Sequence, residues 1–225
     1  MHDLDRPAWS ALNSRHARFA QVSGGARRYD PTIAAFAATR DDAEVDIAAL
    51  GNMIGPGETA VFLQADAVVL PPGLVRTQEL AAVQMIGTGA FEPVDDARIE
   101  PLGPPDAAEM LALATLTRPG PFTARALELG RFWGVRLGGR IVAMAGSRMA
   151  AEGYVELSGV CTHPDMRGRG LGRLVSRHVA GQLSAGGDAV FLHCYAANVP
   201  AIRLYESVGF SIRTTMHVVM AKRTD

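Results

Sequence analysis

The stretch from Tyr154 to Tyr195 constrains this chain more than any other: a strand-like run, the loop Arg167-Gly168-Arg169-Gly170-Leu171-Gly172, an amphipathic helix and a second, nearly all-apolar strand. Counting from Leu171, the apolar residues Leu174, Val175, Val179 and Leu183 fall at offsets of three, four, eight and twelve, which sets one stripe on a helix face. Gly186-Gly187 ends that helix. Ala189 to Tyr195 then reads as a buried strand reached by a crossover connection, parallel or next to Tyr154 to Thr162. The fold class that follows is α/β, a mixed sheet flanked by helices.

The remaining elements are read around this unit. Arg98 to Leu102 reads as a short strand, Pro104-Pro105 opens a helix through Leu116, and Thr117 to Thr123 is a loop before a second short helix. Arg131 to Leu137 and Arg140 to Met149 form a hairpin across Gly138-Gly139. Asn198 caps a helix with Pro200 in its first turn and Gly209 at its end, and His217 to Ala221 is a closing strand. Upstream, Trp9 to Val22 and Asp41 to Met53 read as helices, and Thr59 to Gln64 and Leu74 to Ile86 as strands around the turn Pro71-Pro72-Gly73. A break at Gly87, Gly89, Glu92 and Pro93 divides an N-terminal α/β region, residues 1–92, from a C-terminal domain, residues 93–225.

A loop with Gly168, Gly170 and Gly172 lets backbone approach a ligand, with amides at the positive end of a helix dipole. Such a turn binds phosphate, although glycine-rich turns before helices are also common as plain structure. A dinucleotide fingerprint needs a third glycine at position 173, which is Arg173. An ATP-binding P-loop needs lysine followed by Ser or Thr, and the chain's one lysine is Lys222.

Composition narrows the partners. A net charge of −1 gives no field for nucleic acid or anionic membrane, and the most apolar stretch, Ala60 to Leu70, is broken by Gln64 and Asp66. Two cysteines, Cys161 and Cys194, make no disulfide framework, and no secretory signal is visible at the start, so a cytoplasmic location is expected. The six histidines show no paired spacing with Cys or Glu, so no metal is expected.

Arg167, Gly170 and Gly172 meet the pattern of Arg or Gln, two residues, Gly, one residue, Gly or Ala, directly after a strand. With the helix that follows, the strand Val190 to Tyr195, Asn198 and Leu204-Tyr205-Glu206-Ser207-Val208-Gly209-Phe210, the sequence resembles the GNAT superfamily of acyl-CoA N-acyltransferases over about Arg98 to Ala221. The resemblance implies a splayed parallel strand pair. The pantetheine arm of acetyl-CoA, or of another acyl-CoA, is expected on the backbone of Val160, Cys161 and Thr162, and its pyrophosphate on the amides of Gly168, Arg169, Gly170, Leu171, Gly172 and Arg173. Asn198 contacts the cofactor in the family or is simply a helix cap. Residues 1–92 are then a possible degenerate half of the same fold.

Transfer to an amine needs a base for the ammonium and an acid for the departing thiolate. Glu156 matches the family's strand glutamate, eleven residues before Arg167, and is the expected base unless it is a salt-bridged strand carboxylate. Tyr205 matches the family's general acid and is otherwise a core aromatic. Cys161 admits a covalent route, which the family does not normally take. The expected acceptor is a small-molecule or peptide amine, bound by the loop Thr117 to Thr123 and the N-terminal region. Whether it is a protein terminus, lysine, amino acid, polyamine or drug stays open, as does the oligomeric state. The alternative is an acyl-CoA-binding module without chemistry.

Overall fold

The computed structural model describes residues 2–92 and 94–224, so Pro93 of the expected junction lies outside the described residues, as do Met1 and Asp225. The helices are α1 (Pro7–Leu12), α2 (Glu44–Met53), α3 (Ala107–Thr117), α4 (Leu171–Ser184) and α5 (Val199–Val208). A small antiparallel sheet joins β1 (Ala20–Ser23), β2 (Ala26–Tyr29) and β3 (Ala37–Thr39). The large sheet holds β4 (Thr59–Gln64), β5 (Leu74–Gly87), β6 (Ile99–Leu102), β7 (Phe132–Leu137), β8 (Arg140–Ala151), β9 (Tyr154–Thr162), β10 (Ala189–Tyr195) and β11 (Phe210–Arg223). Its order is β4-β11-β5-β10-β9-β8-β7-β6, and among the described residues only the neighbours β9 and β10 run parallel. Strands from both sides of the expected junction therefore share one sheet.

The sheet carries a core on each face, as period-two alternation requires. Along β10, Val190, Leu192 and Cys194 pack with Val175 and Val179 of α4, whereas Phe191 between them joins Ala8 and Leu12 of α1, Met149 and Val218 on the other face. Val175 and Val179 are fully buried, and each contributes about 1.5–3 kcal/mol relative to exposure.

Three elements depart from the expectation. The helix expected over Trp9 to Val22 stops at Leu12: Ser14 turns its hydroxyl back onto the Ser10 carbonyl at 2.6 Å, and the chain pairs instead as the hairpin of β1 and β2 around Gly24, whose φ is +53°. The closing strand starts at Phe210 rather than His217, because β5 pairs with it from its first residue. After the loop Thr117 to Thr123 there is only a 3-10 turn, Ala126–Glu128, where a short helix was expected.

Candidate active site

The site begins with a split in the sheet. Strands β9 and β10 pair only at Ala189↔Tyr154, Val190↔Val155 and Phe191↔Glu156 and then separate. The cause is a bulge: Met144 faces Cys161 and Gly146 faces Ser158, so Gly159 and Val160 stand against Ala145 alone. Gly159 holds φ +63°, and a Cβ there would lie 2.8 Å from the Phe132 ring, so both conformation and space call for glycine. Beyond the bulge Cys161 and Thr162 pair with β8 on one edge, and the other edge of this end of β9 faces the gap.

The glycine loop stands next to this free edge. Gly168 and Gly170 have φ of +74° and +75° with open space around them, so it is the left-handed backbone that demands glycine there. The first bond of α4 runs from the Leu174 amide to the Gly170 carbonyl at 2.9 Å, which leaves the amides of Leu171, Gly172 and Arg173 without helical partners at the positive end of the dipole. A Cβ on Gly172 would lie 3.3 Å from Thr162 Oγ1, and its absence seats α4 close on the end of β9. These features fit a pyrophosphate.

A cavity of about 740 Å³ runs from the loop through the gap. Every expected cofactor residue lines it except Arg169, and so does Tyr205; Glu156 does not. The Tyr205 hydroxyl makes no hydrogen bond among the described residues, and burial, then the neighbouring Cys194 and Cys161, raise its phenol well above the ordinary value. It therefore carries its proton at neutral pH. Burial pushes the Cys161 thiol up to about 12, against a hydrogen bond from Thr117, so it is a thiol and not a nucleophilic thiolate. Asn198 lines the cavity and also caps α5, its side chain accepting from the Ala201 amide at 3.3 Å.

Glu156 is 1% exposed and fully engaged. It accepts from Arg148 Nε at 2.9 Å and Nη2 at 2.6 Å, from the Met149 amide at 3.2 Å and from His193 Nδ1 at 2.7 Å. Burial works to raise its pKa, and the charge of Arg148 and the bonds from His193 and Arg148 overcome it, down to about 2. His193 Nε2 lies 2.9 Å from Gln84 Nε2, Gln84 also bonds Arg213, and Arg213 bonds Asp5 at 2.6 Å. A buried polar chain thus ties β9 and β10 to the N-terminal segment. Sequence reasoning missed Arg148 and His193, both on the cavity wall. The signal for Arg148 is a β8 bulge, with Arg148 and Met149 set against Glu156, and no residue spacing reveals that.

On the opposite face the cavity is walled by Phe36, by Val61 and Leu63 of β4, by Ala82 of β5 and by Val218 of β11. The loop Thr117 to Pro121 borders it too, with Arg118 held in the left-handed region at φ 52°. The alternation of β10 explains the two compartments. Cys194 faces α4 and α5, whereas His193 and Tyr195 face the N-terminal side.

The chain is similar in sequence and in structure to known acetyltransferases. Residues 133–219 match the model of a family described as FR47-like protein. The chain is 39% identical to a protein of Novosphingobium aromaticivorans assigned as an acetyltransferase to the GNAT family, with TM-score 0.94 and 100% of both chains covered. A GCN5-related N-acetyltransferase from Kribbella flavida shares the fold at 16% identity, TM-score 0.63, over 97% of this chain and 96% of that one. The [ribosomal protein bS18]-alanine N-acetyltransferase of Salmonella typhimurium is 36% identical over 78 residues, 31% of this chain and 53% of the relative. The chain thus spans about half the length of that curated relative.

Proposed function

The chain belongs to the GNAT family of acetyltransferases, and from that premise we propose that it transfers an acetyl group from acetyl-CoA to an amine that enters from the opposite face of the sheet. The split between β9 and β10 carries the proposal, because it gives a free backbone edge leading from the glycine loop to Tyr205 inside one cavity. The loop and the amides at the start of α4 would hold the pyrophosphate, and Val160 to Thr162 the pantetheine arm.

In the reaction the amine nitrogen attacks the thioester carbon, the C–N bond forms and the C–S bond breaks. Two protons leave the nitrogen, one ending on sulfur and one in solvent. Tyr205 donates to the departing thiolate. Glu156, held ionised and off the cavity wall, holds His193 Nδ1 at 2.7 Å, and the other ring nitrogen of His193 lies 2.9 Å from Gln84 Nε2, so we assign Glu156 to positioning His193 and Arg148 on the cavity wall while the amine gives up its proton to solvent. Phe36, Val61, Leu63 and Ala82, all within residues 1–92, together with Val218, supply most of the acceptor wall.

The committed state of Glu156 supports a second reading, an acyl-CoA-binding module without chemistry. Thiol release separates the two. With acetyl-CoA and a pool of amines, free thiol should appear in step with acetylated product detected by mass. A protein whose melting temperature rises with acetyl-CoA, yet which releases no thiol with any amine, is the binding module.

A further inference from the structure

The charges on the cavity wall say which amines it accepts. Arg118, Arg148, Arg167 and Arg173 line the cavity, and among the described residues no Asp or Glu does. Arg167 and Arg173 belong to the glycine loop end, on the α4 side of the sheet. Arg148 lies on the other side, where its guanidinium stacks 4.7 Å over the Phe36 ring. Its Nε and Nη2 are committed to Glu156, and Nη1 makes no hydrogen bond among the described residues. Around it the wall is mainly apolar, with Phe36, Val61, Leu63, Ala82 and Val218, and His193 and Tyr195 of β10 stand on the same side.

A polycationic acceptor gains nothing from such a wall. Two or more ammonium groups would lose their hydration against aliphatic side chains and meet arginines rather than carboxylates. An acceptor with one amine, an apolar group and a carboxylate matches both the apolar wall and Arg148. The apolar group fills the wall of β4, β5 and β11, and the carboxylate takes the open Nη1 of Arg148. A charge-assisted bond of that kind is strong in a partly buried site. Building on the transfer activity proposed above, we infer that the acceptor is a free α-amino acid with a branched apolar side chain, its carboxylate paired with Arg148.

The test compares leucine, leucinamide, isoamylamine and spermidine as acceptors at saturating acetyl-CoA, with N-acetylated product measured by mass. Leucine should have the highest kcat/KM, ten-fold or more above leucinamide and isoamylamine, which lack the carboxylate, and spermidine the lowest. Leucinamide equal to leucine, or spermidine preferred, overturns the inference while leaving acetyl transfer standing. If no amine in a broad pool is acetylated, the transfer activity itself is wrong and the inference falls with it. Since Arg148→Met could unfold the protein by stranding Glu156, Leu63→Phe is the second variant. Added bulk on the apolar wall should raise KM for leucine at least ten-fold and leave alanine within three-fold. Equal effects on both amino acids place the side chain elsewhere and overturn the assignment.

Discussion

Tyr205 tests the site at the scale of one atom. Its hydroxyl is unbonded, protonated and on the cavity wall, so Tyr205→Phe removes a proton donor and little packing. The expected result is a kcat lower by roughly ten-fold to a thousand-fold, with acetyl-CoA binding nearly unchanged. Thioesters with less acidic thiols should lose more, and equal loss for all of them would point to disturbed packing. Two buried residues contribute to the acid side of the stability curve. Burial, then Arg18 and Arg15, push His16 down to about 4 from 6.5 while it contacts the Tyr29 hydroxyl at 3.0 Å. A depressed histidine binds its proton more readily when unfolded, so its contribution is present above pH 6.5 and lost as pH falls to about 4, roughly 3 kcal/mol in all. Glu156, lowered to about 2 from 4.5, acts in the next window, its contribution present above pH 4.5 and lost as pH falls through 2. Urea midpoints against pH should therefore fall in two stages. His16→Gln should flatten only the upper one, and a single stage unaffected by that substitution would remove His16 from the account.

At the scale of elements, the start of α4 is the part most open to attack. Gly170→Ala and Gly170→Glu both force a side chain into φ +75°, at a cost of about 1–2 kcal/mol, but only glutamate brings negative charge to the orphan amides. Acetyl-CoA should still raise the melting temperature of the alanine variant and fail to raise that of the glutamate variant; the same shift in both would place the pyrophosphate elsewhere. This strand, loop and helix was legible in the sequence because its evidence is local: a helical stripe from Leu171 to Leu183, glycines at forced backbone angles and an apolar strand after them. The helix at Trp9 was misjudged because its apolar residues continue past the point where hairpin pairing around Gly24 prevails. The N-terminal wall of the cavity was invisible for a different reason. Phe36 and Arg148 are far apart in sequence and meet only through tertiary structure, and the bulges at Gly159 and Arg148 are properties of strand register that no single strand displays.

At the scale of the whole molecule, the position of β5 decides whether residues 93–225 can stand alone. This strand lies between β10 and β11, pairing with β11 from Phe210↔Gly87 to Arg223↔Leu74 and with β10 from Phe191↔Ile86 to Tyr195↔Ala82. Its Met85 is fully buried in the core beneath α4 and α5, and its Gln84 bonds His193. Removing residues 1–92 deletes β4 and β5, so β11 loses both neighbours and β10 keeps only its short pairing with β9. Each buried backbone group left unpaired costs about 1–3 kcal/mol, and a handful of them exceeds the net stability of about 5–15 kcal/mol typical of a domain. Expressed alone, residues 93–225 should lack a cooperative melting transition and show no stabilisation by acetyl-CoA, although the glycine loop, Tyr205 and Glu156 are all present. Co-expression with a fragment of residues 1–92 should restore both properties, because β5 can be supplied from a separate chain. A lone 93–225 fragment that melts cooperatively and binds acetyl-CoA would instead make that segment an independent domain, with the strand next to β10 dispensable for the cofactor half of the site.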